Sequence, residues 1–289
     1  MIHYLNRNEI DIVKYDACIE ASINSRIYAY SWYLDIVADN WDALVLDDYM
    51  AVMPLPWRSK YFIKYVYPPA WTQQLGVFLK HKIEANLIKE FISSIPKKFK
   101  KITIQFNSEN DLSLFETEKR TNYILKLDRS YEEIYMGFNS NRKRSLKKLG
   151  TGKYNIDKEI STNEFFDFYL NEPKNYQLRQ DQIITIKDLL KANNKTVFIW
   201  GIREDEKLIA SLIWLKDNKR ITYLLPIATK QAKEKGHPTL LISNLIKEYE
   251  NSNLLFDFEG SMIGGVADFY KSFGGEEEKY FIFQNSYFG

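Results

Sequence analysis

Two spacings of hydrophobic residues alternate along the chain: every second position, as in half-buried strands, and every third or fourth position, as on one face of a helix. In the first half they predict, in order, a short strand and helices over 1–40 with Ser31 as a helix cap, a hairpin of strands 41–46 and 50–55 around Asp47-Asp48, a strand over 61–67 that Pro68-Pro69 ends, a helix over 83–92 and a strand over 101–106. This order predicts a mixed α/β unit.

The second half repeats the order of elements without repeating the sequence. It predicts, in order, a strand over 122–127, a short helix opened by a Ser130–Glu133 capping box, a helix capped by Ser140, a strand over 153–159, helices from Thr162 and over 180–191, a hairpin of 196–203 and 208–216 around Glu204-Asp205, a strand over 220–227 and a helix from Pro238. The repeated pattern predicts two domains, 1–128 and 129–289, each with a mixed, mainly antiparallel sheet flanked by helices.

Composition and charge exclude several classes of protein. A net charge of +2 over 289 residues does not require a polyanionic partner. The single cysteine, Cys18, excludes an internal disulfide, and His3, His81 and His237 lack the spacing of metal ligands, so no metal is expected. Without a cationic, apolar leader or a run of eighteen apolar residues, the chain is expected to be cytoplasmic and not to insert into a membrane.

Residues 256–276, FDFEGSMIGGVADFYKSFGGE, combine carboxylates, small residues, aromatic rings and a lysine, a mixture that an ordinary core strand does not need. Asp257 and Glu259 alternate with Phe256 and Phe258. At strand spacing, both carboxylates are therefore predicted to lie on one face and both rings on the other.

Small residues divide the same segment. Gly260-Ser261 is predicted to end the strand, and Gly264-Gly265 is predicted to adopt backbone angles that are closed to other residues. The run Phe269-Tyr270-Lys271-Ser272-Phe273 then places one lysine between aromatic rings before Gly274-Gly275 turns the chain again.

The motif FDFEGS followed by DFYKSFGGE resembles the C-terminal signature of the Fem-type (FemAB-like) transferases. These are two-domain relatives of the GNAT acyltransferases, and they move an aminoacyl or acyl group onto an amine. The resemblance implies two GNAT-like domains and an N-acyltransferase or aminoacyltransferase that acts on a small or peptide-like amine, with a cell-wall precursor as one such acceptor. It also implies that Lys271 lies at the catalytic cleft.

Acyl transfer to an amine needs a neutral amine, a polarised carbonyl and a place for the leaving group. Asp257 and Glu259 are predicted to accept the amine proton or to orient the amine, and the alternative is that they bond the glycine turns that follow. Lys271 is predicted to stabilise the oxyanion or to bind a phosphate. Its alternative role is a cation resting on aromatic rings.

Several further residues are predicted to bind substrate. Arg142 is the candidate from a helix with five cations in residues 142–148, which alternatively binds nucleic acid or forms a solvated face. Trp71 and Gln74 are predicted to form a wall of the acceptor site, because a loop of Fem-like proteins lies at the corresponding place, and the alternative is a hydrogen-bonded turn. The remaining substrate-binding candidates are Tyr223, Phe269 and Tyr270.

Lys233, Gly236 and His237 precede a predicted helix N-terminus, where free N–H groups and the helix dipole favour phosphate. They resemble a degraded form of the GNAT pattern that holds the coenzyme A pyrophosphate, and Pro238 removes one N–H group. Acyl-coenzyme A and aminoacyl-transfer RNA are the alternative donors.

The segment from Phe165 to Asn194 has room for only two helices, so the long helical arm of many transfer-RNA-dependent relatives is expected to be absent, which weighs against transfer RNA. A coenzyme A-dependent acyltransferase of polysaccharide or lipid biosynthesis and a non-catalytic binding module are the alternative functions. The sequence makes no prediction of an oligomeric state.

Overall fold

In the computed structural model, which describes residues 1–150, 154–174, 176–192, 195–260 and 262–287, the chain forms two compact units. The first unit is Met1–Thr121 together with the chain from Glu278 onwards, and the second is Asn122–Glu277. The domains predicted from the sequence, 1–128 and 129–289, instead placed the chain from Glu278 onwards in the second domain. Ser261 of the signature lies outside the described residues.

Helices and strands alternate along both units. In chain order they are β1 (Ile2–Leu5), α1 (Ile12–Ala21), α2 (Ser31–Val37), β2 (Asn40–Leu46), β3 (Ala51–Lys60), β4 (Ile63–Val66), β5 (Phe78–Leu79), α3 (Ala85–Ser93), β6 (Phe99–Phe106), β7 (Glu118–Lys126), α4 (Tyr131–Met136), α5 (Ser140–Leu149), β8 (Ile156–Asp157), α6 (Thr162–Asn171), α7 (Gln180–Ala192), β9 (Val197–Glu204), β10 (Lys207–Lys216), β11 (Arg220–Ala228), α8 (Lys230–Lys235), α9 (His237–Glu248), β12 (Leu255–Asp257), α10 (Gly264–Lys271) and β13 (Glu276–Ser286). None of these described helices is long and apolar enough to cross a membrane.

The sheet of the first unit has the strand order β1-β2-β3-β4-β6-β13, with β5 paired to β3. The β4–β6 pair is parallel and the other pairs of this unit are antiparallel. The amphipathic face of α3 buries Ile88, Phe91 and Ile92 in the same core as residues of β2, β3 and β6. Burial of this apolar surface holds the helix on the sheet.

The strand that follows β3 begins later than predicted. Residues 61–67 alternate aromatic and aliphatic side chains at strand spacing, which predicted a strand from Tyr61. In the structure, β3 continues past Pro56 to Lys60, and Lys60 pairs with Ile63. That register leaves only Tyr61 and Phe62 for the turn, so β4 begins at Ile63.

The sheet of the second unit has the strand order β7-β12-β11-β10-β9-β8. The β11–β12 pair is parallel, and the other pairs are antiparallel. Trp214, Phe256 and Phe258 are fully buried in its core, against which α9 packs Leu241 and Leu245. The two predicted helices between residues 162 and 192 are found as α6 and α7; Asn194, the end of the segment used in that prediction, lies outside the described residues.

Local capping chemistry explains which helix ends were predictable. The Ser130–Glu133 capping box is confirmed, since both of its hydrogen bonds form. The cap of α5 is Asn139 and not Ser140, because the Asn139 side chain accepts the hydrogen bond from Arg142 N. The helix α8 was missed, since Ala232 is its only buried residue and leaves no hydrophobic period to detect.

The glycines of the signature divide into two kinds. Gly264 and Gly265 open α10 without positive φ angles, so the prediction of special backbone angles there is wrong. Gly260 and Gly274 do adopt positive φ, +59° and +79°, on either side of that helix. These two turns direct the chain into and out of α10.

Candidate functional site

A cavity of about 660 Å³ opens in the second unit where β11 extends beyond β12. The parallel pairing of these strands ends at Thr222 and Asp257, whereas β11 continues to Ala228. Within β11, Leu224 is an extra residue that shifts the register against β10. Because a bulge bends and twists its strand, it helps to separate the end of β11 from β12.

The walls of the cavity are mainly apolar and aromatic. They comprise Tyr223, Leu225, Pro226, Ile227 and Ala228 of β11, with Arg142, Tyr169, Lys174, Tyr176, Ser211, Leu212, Lys233, Pro238, Thr239, Leu241, Gly265, Val266, Phe269 and Tyr270. Three cations and no carboxylate are among these described lining residues. The cavity therefore suits an apolar or aromatic group that carries negative charge at one end.

Arg142 holds a guanidinium group in the cavity wall. It lies in the first turn of α5, and its Nη1 donates a hydrogen bond of 2.6 Å to Thr239 Oγ1 on α9. The guanidinium carbon lies 4.9 Å from the centre of the Phe269 ring. Burial lowers the pKa of Arg142, but an arginine in a protein stays charged at neutral pH. The structure thus brings the predicted residues Arg142 and Phe269 together at this cavity.

Tyr223 and Tyr270 are buried tyrosines that line the same cavity, with ring centres 6.1 Å apart. Burial raises the pKa of Tyr223 well above its ordinary value. Burial first, and then the charges of Glu259 and Asp257, raise the pKa of Tyr270. Both phenols therefore stay protonated at neutral pH, and each keeps an O–H donor for an oxygen that gains negative charge.

Asp257 forms a buried ion pair. Its Oδ2 accepts a hydrogen bond from Arg220 Nη1 at 2.7 Å, and the two side chains are 2% and 3% exposed. Its Oδ1 accepts from Asn122 Nδ2 and from the Glu259 backbone N–H, both at 2.9 Å. Three donors on one buried carboxylate favour a structural role for Asp257 over a role as base, although none of these donors is a glycine of the turns that follow, which were the predicted partners.

Glu259 does not continue the strand. Because β12 ends at Asp257 and Glu259 has φ of +59°, the predicted alternation of the two carboxylates along one strand is wrong. Glu259 is half-buried, and its negative charge raises the pKa of Tyr270. It therefore lies within electrostatic reach of a tyrosine that lines the cavity.

Lys271 ends α10 with a side chain that is 49% exposed. Its Nζ lies 3.2 Å from Glu277 Oε1 and 5.5 Å from the centre of the Tyr123 ring. The hydrogen bond to Glu277 raises the pKa of Lys271. Phe269 and Tyr270 of the same helix line the cavity, but Lys271 is not among its described lining residues. Its contacts are those of a cation resting on an aromatic ring, and its catalytic role stays a prediction.

Trp71 and Gln74 belong to the first unit, whereas the cavity is lined by residues of the second unit. Trp71 has φ of +63°, and its carbonyl oxygen accepts a hydrogen bond from the Tyr33 hydroxyl. Gln74 is fully buried, and its Nε2 donates to Gln73 Oε1 at 2.8 Å. These contacts are those of a hydrogen-bonded turn, and the acceptor wall stays a prediction.

The N-terminus of α9 is a poor pyrophosphate site. Gly236 joins α8 to α9 with φ of +96°, and a Cβ placed there would lie 2.8 Å from Ser145 Cβ of α5. The N–H groups of Gly236 and Thr239 already donate to backbone carbonyls at 3.0 Å, and Pro238 has no N–H group. Because a pyrophosphate needs several free N–H donors, these residues do not fit it, and coenzyme A as donor stays a prediction.

Lys233 and His237 differ in their access to ligand. Lys233 is exposed and lines the cavity. His237 is fully buried, with Nδ1 3.3 Å from Ala232 O and its ring edge-on to Tyr154 at 4.7 Å. Of the two, Lys233 alone is placed to meet an anionic group. In the described parts of the chain, no three His, Cys, Asp or Glu side chains lie together as a metal site would require.

The burial of His237 predicts a pH dependence of stability. Burial is the main cause that lowers its pKa below the ordinary value near 6.5, against opposing contributions from Ala232 and Glu204. As pH falls below about 6.5, the unfolded chain takes up a proton that the folded chain does not. The unfolding free energy of the wild type is therefore expected to fall between pH 7 and pH 5, by at most about 1.4 kcal/mol per pH unit from this group.

Urea unfolding at both pH values measures that loss, and His237→Phe, which keeps a ring beside Tyr154, is the control. The variant is expected to lose less stability than the wild type over the same interval. An identical pH dependence of the two proteins would contradict the assignment.

No family model matches the chain. Among curated proteins, 7-cyano-7-deazaguanine synthase 1 of Sulfurisphaera tokodaii is 36% identical over 84 residues, or 27% of this chain. The matched part is 39% of that protein, which is less than two thirds of its length. A match over so short a segment of either chain does not support the same activity for this protein.

Solved structures resemble the chain over nearly its whole length. FemX has a TM-score of 0.70 at 9% identity, with 96% of both chains covered. L-PGS from Bacillus licheniformis has a TM-score of 0.57 at 15% identity, over 94% of this chain and 91% of its own. A tandem GNAT protein from the clavulanic acid biosynthesis pathway has a TM-score of 0.54 at 10% identity, with 98% of both chains covered.

The chain has the fold of the tandem GNAT protein and of FemX. The predicted fold class and the resemblance to the FemAB-like branch are thereby confirmed at the level of fold. Within this fold, the signature residues 256–276 supply most of β12 and all of α10.

Sequence reasoning missed several residues that shape the site. Thr239 fixes the guanidinium of Arg142, and no pattern in the sequence connects these residues, which are 97 positions apart. Leu225 and Ile227 line the cavity beside Tyr223. Strict alternation from Tyr223 would not have placed them, because the extra residue Leu224 reverses the alternation between Tyr223 and Leu225.

Proposed function

We propose that this protein is an N-acyltransferase or aminoacyltransferase that binds the transferred group in the cavity of the second unit. The observation that carries the proposal is the opening between β11 and β12, lined by apolar side chains together with Arg142 and two protonated tyrosines. The same fold in FemX, L-PGS and a tandem GNAT protein supports this reaction class. The resemblance of the signature to Fem-type transferases makes a cell-wall precursor one acceptor to test.

The proposed reaction forms a bond from the acceptor nitrogen to the acyl carbonyl carbon and breaks the bond from that carbon to the donor carrier. Tyr270, with Tyr223 beside it, donates its O–H to the carbonyl oxygen as negative charge develops there. Glu259 is the proposed acceptor of the amine proton, since its charge already acts on Tyr270 and Asp257 is engaged by Arg220. The leaving group keeps the electron pair of the broken bond.

Arg142, Lys174 and Lys233 are the proposed contacts for a negatively charged part of either substrate, because they are the cations of the cavity wall. The guanidinium of Arg142 is held in place by Thr239 and the Phe269 ring. A fixed guanidinium binds a carboxylate or phosphate with two parallel hydrogen bonds. The proposal therefore places the anionic group of the ligand beside α5 and α10.

Thermal unfolding in the presence of single ligands tests the proposal. The ligands are acetyl- and longer acyl-coenzyme A, free coenzyme A, an aminoacylated transfer RNA and a nucleotide-linked muramyl peptide. A ligand present at about a hundred times its Kd adds roughly 2.7 kcal/mol to stability, which moves the midpoint of a chain of this size by several degrees. Arg142→Ala is expected to weaken the binding of that ligand by roughly tenfold to a hundredfold, since one charged hydrogen-bonded contact is lost.

The outcomes separate the alternatives. A shift with coenzyme A species would favour coenzyme A as donor carrier in spite of the poor site at α9, and a shift with transfer RNA or the muramyl peptide would favour Fem-type transfer. Binding of any ligand that Arg142→Ala leaves unchanged would contradict the assigned cavity. Binding without acyl transfer to any amine would favour a binding module.

A further inference from the structure

The hairpin that joins β3 to β4 exposes its apolar residues at the tip. Tyr61 is 82% exposed, Phe62 is 103% exposed and Ile63 is 39% exposed. Lys60 pairs with Ile63, so Tyr61 and Phe62 form the whole of a two-residue loop. Three consecutive apolar side chains at a loop tip remain without a core to enter. We call Tyr61, Phe62 and Ile63 the apolar tip.

The backbone of the apolar tip does not explain its composition. Tyr61 and Phe62 have φ of +50° and +65°, and two-residue hairpin loops with positive φ at both positions favour Asn and Gly. The hairpin between β9 and β10 has the same geometry, with φ of +49° and +62°, and carries Asp205 and Glu206 there. The aromatic side chains between β3 and β4 therefore serve neither the turn nor the packing of the first unit.

Cations surround the apolar tip. Lys60 Nζ lies 5.4 Å from the centre of the Tyr61 ring, and Lys64 Nζ lies 4.5 Å from the centre of the Trp57 ring. Residues 57–67 contain no carboxylate; Arg58 of this stretch pairs with Asp39 at 3.0 Å.

The neighbouring strand adds charge at the same edge. Because β4 and β6 are parallel and Lys64 pairs with Phe99, the start of β6 lies beside the tip end of β4. Lys97, Lys98 and Lys100 are exposed there, and Lys98 Nζ lies 4.4 Å from the Tyr4 ring, with Glu9 near enough to feel its charge. This edge of the first unit combines the apolar tip with a basic rim.

We propose that the apolar tip docks this protein peripherally on an anionic lipid bilayer. Aromatic side chains favour the interface between headgroups and acyl chains, and lysines beside them attract anionic headgroups. Neither contribution alone gives lasting attachment, whereas a shallow apolar insertion combined with a basic rim does. A narrow two-residue tip also suits insertion between lipids better than a protein interface, which buries about 800 Å² on each partner. The proposal requires no membrane-spanning segment.

Co-sedimentation with vesicles tests the proposal, using phosphatidylcholine alone and phosphatidylcholine with about one third phosphatidylglycerol. The wild type is expected to bind the anionic vesicles and to be released by high salt. The double variant Tyr61→Asn, Phe62→Gly removes both aromatic rings and supplies the residues that this turn favours. It is expected to bind at least about tenfold more weakly, with an unfolding midpoint equal to or above that of the wild type.

Two further variants distinguish the contribution of the lysines from that of the inserted aromatic rings. Lys60→Gln with Lys64→Gln is expected to weaken binding to the anionic vesicles several-fold. The matching change at the other hairpin, Asp205→Asn with Glu206→Gly, is expected to leave vesicle binding unchanged. Equal binding by the wild type and the Asn-Gly tip variant would overturn the proposal. The proposal would also be overturned if the wild type does not bind vesicles but binds single-stranded nucleic acid, or forms a dimer, and the tip variant does not.

Discussion

Replacing Tyr270 with phenylalanine is expected to lower kcat/KM for acyl transfer by about 10²–10³-fold, the usual effect of removing one oxyanion donor. The variant loses only the O–H group, because the ring keeps its contacts with Phe258 at 4.9 Å and Tyr223 at 6.1 Å. Burial and the nearby carboxylates hold the pKa of Tyr270 above its ordinary value, so the wild-type phenol is a donor throughout the neutral range. Initial rates with the donor found by thermal unfolding measure the effect.

A matched control distinguishes the role of the phenol from a general loss of hydroxyl groups. Tyr135 is a half-buried tyrosine of the second unit that is not among the lining residues of this cavity. Tyr135→Phe is expected to keep kcat/KM within about twofold of the wild type, as a surface change away from such features does. Equal loss in both variants would assign the effect to stability and would remove Tyr270 from the mechanism.

Lys271→Ala, assayed in parallel, tests the role that the resemblance gives to the signature lysine. If Lys271 acts in catalysis, turnover falls as far as in Tyr270→Phe while the unfolding midpoint stays constant. If its contacts with Glu277 and Tyr123 are its whole role, turnover stays within a few-fold of the wild type. The two variants together decide whether α10 acts through its lysine or through its tyrosine.

The signature coincides with elements at the cavity. Residues 256–276 supply most of β12 and all of α10, and Phe269 and Tyr270 line the cavity, while their role in substrate binding stays a prediction. The different roles of the residues within the motif were not predictable. Asp257 and Glu259 look equivalent at strand spacing, but the positive φ of Glu259 ends that equivalence. A backbone angle at a non-glycine residue leaves no mark in the sequence.

Elements with a hydrophobic period or a capping box were predictable, because their signals are local. The Ser130–Glu133 box and the amphipathic α3 are examples. The turn at Tyr61-Phe62 was not predictable, since its residues favour strands and only the pairing of Lys60 with Ile63 makes them a loop. Pairing register is a long-range property, and it also determines which strand ends open the cavity.

The pairing register of β11 and β12 brings Arg220 and Asp257 together as an ion pair. Breaking this ion pair is the change that is expected to affect stability most. Asp257 lies in β12 and Arg220 in β11, and the parallel register that matches Arg220 with Leu255 brings their side chains together. Asp257→Ala leaves the Arg220 guanidinium buried without its carboxylate. Because an unpaired buried charge is costly, the unfolding free energy is expected to fall by about 3–5 kcal/mol. Chemical denaturation at neutral pH, followed by circular dichroism, measures that change.

The double variant Arg220→Met, Asp257→Leu distinguishes the cost of the unpaired charge from the cost of lost packing. Apolar residues of similar volume often replace a buried ion pair with little loss of stability. The double variant is therefore expected to regain most of the stability that Asp257→Ala loses, although Asn122 and the Glu259 N–H lose their acceptor. If the double variant retains the wild-type fold and binds ligand, Asp257 is structural. If it is as stable as the wild type but inactive with every donor, the carboxylate of Asp257 has a role in the reaction after all.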